Sequence, residues 1–420
     1  MKETVKVEKK QKPFKLEKKP IKYIENKPDI GKVIDWKYIQ RKLMELVSPY
    51  VGDAYVPYPP MDQANWFVIN SERSVGKTTN ILLMGMILFE SYGITTEYLR
   101  IKKDQVRPIN FAQLFATIEN PTFDYVGKVT GGKYHGIYYN RKAFYFANFD
   151  CGKVIKEEIC PDPFCHIECT DNVDNIKSLY NNPNASFVIV DEFINASGIN
   201  KENDFLNLCQ ILSTYRRNRL DMKIFMLANT INPYNQFYKE LCISDEIRSL
   251  KLGDEKIVET PLGTHVWIKL VKFDEKVTEK RRVNNLFYFG FLNPKLASIN
   301  GGAEWAIKNY PHLPRLDEEE TRICLMSDVY LRYYNKMLCL EIWNSDKIGR
   351  FLYVREQTRE PLHPLRFYTQ EPCMHYLDRY GLGTGDNLDK LIRSLYDTRR
   401  VFYSYNDIGN LFENYILNLK

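Results

Sequence analysis

The sequence predicts an α/β fold with a mostly parallel sheet, followed by a second, smaller α/β unit. Three observations predict it. The runs Trp66-Phe67-Val68-Ile69, Phe187-Val188-Ile189-Val190 and Ile224-Phe225-Met226-Leu227-Ala228 are continuously apolar, as strands buried on both faces are. Segments with apolar residues at helical spacing lie between them, and strands alternating with helices build parallel sheets. Gly76-Lys77-Thr78 stands between the first run and a helical stretch, the strand–loop–helix context in which backbone N–H groups can wrap a phosphate.

The elements follow in order. Trp36, Ile39, Leu43 and Leu46 recur at helical spacing, and an aromatic, proline-rich connection over 50–60 leads to the first strand at 66–70. A helix is expected over 78–92, with Gly93 as its C-terminal cap, and a second strand over 96–101. Within 104–180, Phe144-Tyr145-Phe146 and the turn at Gly131-Gly132 predict hairpins inserted on one side of the sheet. Strands at 187–190 and 223–228 flank a helix over 204–219, whose face carries Phe205, Leu208, Ile211, Leu212 and Tyr215. Strands at 329–334, 337–343 and 351–354, then helices at 388–396 and 408–419, make the smaller unit. The expected division is a lysine-rich disordered tail over 1–33, the nucleotide-binding domain over 34–245, a linker or subdomain over 246–325, and a C-terminal domain over 326–420.

Charge is concentrated at the start. Residues 1–30 carry a net +5 of the chain's +6, so the body is nearly neutral and is not a generally basic nucleic-acid binder. The tail lacks the apolar residues to bury a core, and it reads as a solubilising leader or an electrostatic tether for nucleic acid. No uninterrupted apolar run reaches the ~18–20 residues that span a bilayer, so no membrane contact is expected. The lysine-rich start does not read as a secretory signal, and the nine cysteines are expected as reduced thiols in a cytoplasm. Cys160, Cys165, His166 and Cys169 cluster but lack the paired short spacing of common zinc sites, so plain thiols are expected there.

The chemistry centres on residues 71–79, Ser71-Glu72-Arg73-Ser74-Val75-Gly76-Lys77-Thr78-Thr79, which read as a P-loop with Ser71 where the usual first glycine stands. Lys77 would reach the β- and γ-phosphates of ATP, and the hydroxyl of Thr78 would hold Mg²⁺. The buried run ending Asp191-Glu192 places two acids at the carboxyl end of a strand, where ligands bind in open α/β sheets. Asp191 would complete the Mg²⁺ site, and Glu192 would polarise the attacking water as general base. The long interval between Lys77 and Asp191 leaves room for an extra strand, the arrangement of motor-type (ASCE) P-loop ATPases. Asn229, at the tip of the next strand, is the candidate sensor of the γ-phosphate; as a plain turn residue it would do nothing. Arg216, Arg217 and Arg219 close the preceding helix, where arginines suit the dipole; one of them, Arg219 first, is the candidate arginine finger toward a neighbouring subunit.

Together these residues resemble the DNA-packaging ATPase (encapsidation protein) of small short-tailed bacteriophages with protein-primed linear genomes. The resemblance rests on Arg73 within the P-loop, Glu97-Tyr98-Leu99-Arg100-Ile101-Lys102 as the basic strand, and Val188-Ile189-Val190-Asp191-Glu192-Phe193 as the acidic motif. Arg217-Asn218-Arg219, Leu227-Ala228-Asn229 and Asn232-Pro233-Tyr234 continue it in the same order. It implies a catalytic role for Arg73 in cis and for Lys177, and a homo-oligomeric, pentameric ring that hydrolyses ATP to move double-stranded DNA through the portal (connector) protein of a prohead. A packaging RNA is a further implied partner. It also implies a C-terminal domain resembling a degenerate RNase H-like nuclease. The nearest acids there, Asp328, Glu341 and Asp346, form no recognisable metal triad, so no nuclease activity is expected. The implied location is the host cytoplasm, transiently at the portal vertex, and not the mature virion. The alternatives are another P-loop machine, either a helicase or remodeller or a phage assembly or export ATPase, and a nucleotide-binding structural vertex protein.

Overall fold

A computed structural model describes residues 34–47, 55–71, 76–106, 114–173, 176, 185–194, 200, 202–216, 222–229, 232, 234–272, 310–314, 320–333, 336–359, 361–362, 364–369 and 387–418. The expected tail over 1–33 lies outside them. In chain order the first unit contains α1 (Trp36–Val47), β1 (Trp66–Asn70), α2 (Lys77–Tyr92), β2 (Thr95–Arg100) and α3 (Tyr125–Val129). Then come β3 (Gly136–Asn140), β4 (Ala143–Asp150), β5 (Lys153–Ile159), β6 (Cys165–Cys169) and β7 (Ala185–Asp191). It ends with α4 (Glu202–Arg216), β8 (Lys223–Ala228), α5 (Gln236–Glu240), α6 (Ser244–Ser249), β9 (Glu255–Glu259) and β10 (His265–Leu270).

These strands form one sheet in the order β3-β4-β6-β2-β7-β8-β1-β10-β9, with β5 paired to β4. The run from β6 to β10 is parallel throughout. β8 lies between β1 and β7, so the strand bearing Lys77's loop and the strand ending in Asp191 are separated by one strand, but that strand follows Asp191 in the chain, and the long interval before Asp191 holds β2 to β6 on the far side of β7. The central strands β1, β7 and β8 are buried on both faces, which explains their continuous apolar sequences. One face packs under α1, α2 and α3 through Ile39, Leu43, Ile81, Leu83 and Ile87. The other packs under α4 and α5 through Leu208, Ile211, Tyr215 and Phe237.

Two local features set the position of α2. Gly76 precedes it in the left-handed region at φ 79°, which glycine adopts without steric cost. Gly93 closes it at φ 68°, donating its N–H to Phe89 O.

Two of the expected boundaries are corrected. β10 pairs in parallel with β1, and β9 pairs with β10, so the first sheet runs to Leu270 rather than ending by 245. The polar texture around these short outer strands hid them: β9 is mostly exposed, and only a partner strand gives β10 its buried face. The hairpins expected beside the sheet are continuous with it, because β6 pairs with β2 and β4 with β6.

The second unit contains β11 (Arg322–Met326), β12 (Val329–Tyr333), β13 (Lys336–Ser345), β14 (Gly349–Gln357), β15 (Arg366–Thr369), α7 (Asn387–Asp397), β16 (Val401–Tyr403) and α8 (Asn406–Asn418). Its sheet runs β15-β12-β13-β14-β16, with β11 alongside β13. β11 therefore belongs to this sheet, and the unit begins before the expected residue 326. α7 and α8 cover one sheet face through Ile392, Leu411, Phe412 and Tyr415. Of the acids considered for a nuclease, Glu341 is tied to Arg355 at 2.6 Å and accepts a hydrogen bond from Trp343 Nε1 at 2.9 Å, and Asp346 accepts from Thr321 N at 3.2 Å. Among the described residues no group of acidic, histidine or cysteine side chains converges as a metal site, and no helix is long and apolar enough to cross a membrane.

Candidate nucleotide site

The carboxyl ends of β1, β8 and β7 carry the residues singled out in the sequence. Lys77 opens α2 and is buried, and its ammonium donates a hydrogen bond to the side-chain carbonyl of Asn229 at the tip of β8. Thr78 Oγ1 donates to Asp191 Oδ2 at 3.1 Å. Thr79 is half-buried in the same first turn. Ser71 is fully buried, and its backbone N–H is committed to Ala228 O at 3.1 Å, extending the β1–β8 ladder by one residue.

The backbone N–H of Glu192 donates to Asp191 Oδ1 at 2.9 Å, and Glu192 sits in the left-handed region at φ 49°. A non-glycine residue there costs on the order of 1–2 kcal/mol, and such outliers gather at functional sites. Phe193 N–H then donates to Leu227 O at 3.2 Å and returns the chain to the sheet.

Two residues of β2 complete the site. Period-2 alternation puts Tyr98 and Arg100 on the face that Asp191 shares. The Tyr98 hydroxyl donates to Asp191 Oδ2 at 2.6 Å and accepts from Arg100 Nε at 2.9 Å. The Arg100 guanidinium lies 3.3 Å from Asp191 Oδ2 and 2.5 Å from Glu192 Oε2. Gln105 Nε2 adds a 3.4 Å contact to Glu192 Oε2. Burial, reinforced by the Asp191 charge, pushes the Tyr98 hydroxyl well above its ordinary range and keeps it a donor. Burial opposes the charge on Arg100, but Asp191, Tyr98 and Glu192 outweigh it and raise its pKa. Neither residue stood among the expected catalytic groups. The signal was present in the segment 97–102, where alternation puts Tyr98 and Arg100 on one face.

The groups fit a magnesium nucleotide. The first turn of α2 holds no acidic residue, so its N–H groups and dipole meet an anion without repulsion. Thr78 and Asp191 supply oxygen donors, and Mg²⁺ is commonly held by one or two carboxylates plus phosphate oxygens and water. The remaining expected site residues, Glu72, Arg73, Ser74, Val75, Lys177 and Arg219, lie outside the described residues. Arg216 is exposed at the end of α4.

The cysteine cluster does not converge. On β6, Cys165 and Cys169 point to one face as buried free thiols, while His166 points to the other and bonds Glu97 Oε1 at 3.0 Å.

No family model and no curated protein matches the sequence. Among solved structures, the chain is similar to "The Phi-28 gp11 DNA packaging Motor" at 16% identity and TM-score 0.47, covering 88% of this chain and 98% of that one. It is similar to "The bacteriophage Phi-29 viral genome packaging motor assembly" at 15% identity and TM-score 0.45, covering 87% and 99%. It is also similar to the large terminase ATPase domain of Thermus phage P74-26 at 15% identity and TM-score 0.33, covering 62% and 96%. All three TM-scores are below 0.5, and the reading of the site rests on its own geometry.

Proposed function

We propose that this chain is a Mg²⁺-dependent ATPase that drives double-stranded DNA into a preformed prohead through the portal. The observation that carries the ATPase reading is the convergence of Lys77, Thr78, Asn229 and the Asp191–Glu192 pair at the ends of three adjacent parallel strands. DNA packaging is supported by the motif order from Arg73 to Tyr234. A homo-oligomeric ring of five subunits, a packaging RNA, and residence in the host cytoplasm and at the portal vertex but not in the mature virion are part of the same reading.

MgATP, when bound, would supply the transferable γ-phosphoryl group and the divalent charge that neutralises it. Lys77 is placed to hold phosphate oxygens, and Asn229, its partner here, to orient water. Thr78 and Asp191 would hold the metal. Glu192 is the general base, but its carboxylate is engaged by Arg100 at 2.5 Å, and a general base must reach the water whose proton it takes. Hydrolysis therefore requires the Arg100–Glu192 pair to open. The motor must move any sequence, so contacts to the DNA phosphates suffice.

The test is ATP hydrolysis by the full chain with and without long double-stranded DNA at low salt, beside Lys77→Ala. Mg²⁺-dependent turnover that DNA stimulates and the substitution abolishes is expected. ATP binding without turnover, even with proheads added, would overturn the reading in favour of a structural role.

A further inference from the structure

Four buried asparagines connect the catalytic end of the first sheet to the last helix of the chain. Asn200 Nδ2 donates to Phe193 O, one residue past Glu192, at 2.8 Å and to Asp204 Oδ2 at 3.3 Å. Asn235 Nδ2 donates to Asn200 Oδ1 at 2.8 Å, while Asn235 Oδ1 caps α5 by accepting from Phe237 N at 3.0 Å. Asn235 N donates to Asn232 O at 2.9 Å. Asn232 and Asn414 of α8 then form a reciprocal amide pair, Nδ2 to Oδ1 at 3.1 Å one way and 3.2 Å the other. Asn414 Nδ2 also donates to Asn410 O at 2.7 Å, and Asn232 Oδ1 accepts from Tyr234 N at 3.1 Å. Beside the pair, the Tyr234 hydroxyl donates to Asp407 Oδ1 at 2.7 Å. None of the four asparagines is more than 6% exposed.

The amide orientations are fixed, not interchangeable. Asn200 must turn its nitrogen to the Phe193 carbonyl and the Asp204 carboxylate, so its oxygen faces Asn235. Asn235 must turn its oxygen to the Phe237 N–H, so its nitrogen faces Asn200. Asn414 must turn its nitrogen to the Asn410 carbonyl, and Asn232 must turn its oxygen to the Tyr234 N–H. No member can flip without leaving a buried polar atom unpaired, and such networks hold one arrangement or break. The chain reaches both catalytic loops, because Asn200 holds the carbonyl after Glu192 and Asn232 lies three residues past Asn229.

We infer that this amide chain is a relay by which the seating of α8 on the first unit sets the loops that carry Glu192 and Asn229, making Asn232 and Asn414 positioning residues for hydrolysis. The inference rests on the ATPase reading above. A load on the C-terminal unit that shifts α8 strains the Asn232–Asn414 pair and is felt at the Phe193 carbonyl.

The test uses the full chain and three variants: Asn414→Asp, Asn232→Asp, and Tyr368→Phe as a control. Asn414→Asp puts a second acceptor opposite Asn410 O and Asn232 Oδ1. Tyr368→Phe removes a hydroxyl that bonds Asp389 within the C-terminal unit and none of the four asparagines. Hydrogen exchange without nucleotide reads the linkage: faster exchange is expected in the peptides carrying Phe193 and Asn235 for Asn414→Asp and not for Tyr368→Phe. Turnover reads its use: kcat falls about tenfold for each aspartate variant with nucleotide affinity within about twofold. Unchanged exchange at Phe193, or a kcat loss that Tyr368→Phe reproduces at equal loss of thermal stability, overturns the relay. Absence of turnover in the unaltered chain with DNA and proheads instead overturns the ATPase reading, and the exchange result still decides whether the two units are linked.

Discussion

Arg100 bridges the two acids of the site, lying 2.5 Å from Glu192 and 3.3 Å from Asp191. The two acids thus share one half-buried cation. On the proposed reading, Glu192 must leave Arg100 before it can act on water, and DNA or a neighbouring subunit would control that release.

Arg100→Gln removes that hold. The expected outcome is a fall in the ratio of DNA-stimulated to basal turnover toward one, with nucleotide binding retained. Steady-state hydrolysis with and without DNA measures it; an undiminished ratio would show that Arg100 does not gate Glu192. Glu192→Gln should lower kcat by about 10²–10⁴, the usual contribution of a general base, and leave nucleotide affinity near its starting value.

Asn229 and Lys77 share a hydrogen bond, which on the proposed reading a bound phosphate would displace. Asn229→Asp turns a neutral partner into a carboxylate that competes for the ammonium and repels the phosphate. A charged partner strengthens such a bond by about 1–2 kcal/mol, so nucleotide affinity should fall about tenfold. Equilibrium binding of a fluorescent nucleotide measures this directly, and unchanged affinity would place Lys77 elsewhere in the cycle.

Tyr98 is a buried link between Asp191 and Arg100. Tyr98→Phe leaves Asp191 without one donor and Arg100 Nε without its acceptor. The cost is about 1–3 kcal/mol, seen as a drop of a few degrees in the thermal midpoint. A midpoint equal to that of the unaltered protein would mean water takes the place of the hydroxyl at no cost.

His166 gives a pH signature. Burial lowers its pKa, but the bond to Glu97 and the charges of Glu97 and Glu168 outweigh this and raise it above the ordinary 6.5. A histidine pKa raised by folding contributes stability below its unfolded value and loses it as pH rises through the folded value. Thermal midpoints of the unaltered protein and His166→Asn should therefore lie furthest apart at pH below about 6.5 and converge above the raised pKa. A gap that widens with rising pH would reverse the assigned sign.

The local order of the chain was legible from the sequence because local chemistry sets it. Continuous apolar runs gave the parallel strands, helical spacing gave α1, α2, α4, α7 and α8, and Gly76, Lys77, Thr78, Asp191, Glu192 and Asn229 announced their chemistry by type and position. The outer strands β9, β10, β15 and β16 were not legible. Short strands draw much of their stability from a partner, and β16 is three residues long and pairs with β14 from about fifty residues earlier. The same limit hid Arg100 and Tyr98 as site residues, since only the β2–β7 register brings them to Asp191.

The sequence by itself determined the order of the core strands and helices and the candidate residues at their ends, while the tertiary structure decided that β8, which follows Asp191 in the chain, lies between β1 and β7. It also decided that Glu192 is held by Arg100, and that Asn200, Asn235, Asn232 and Asn414 form one buried chain across two units. An amide declares no partner in the sequence. Burial decides, because away from water each donor and acceptor must find its complement, and the fold fixes which one is in reach.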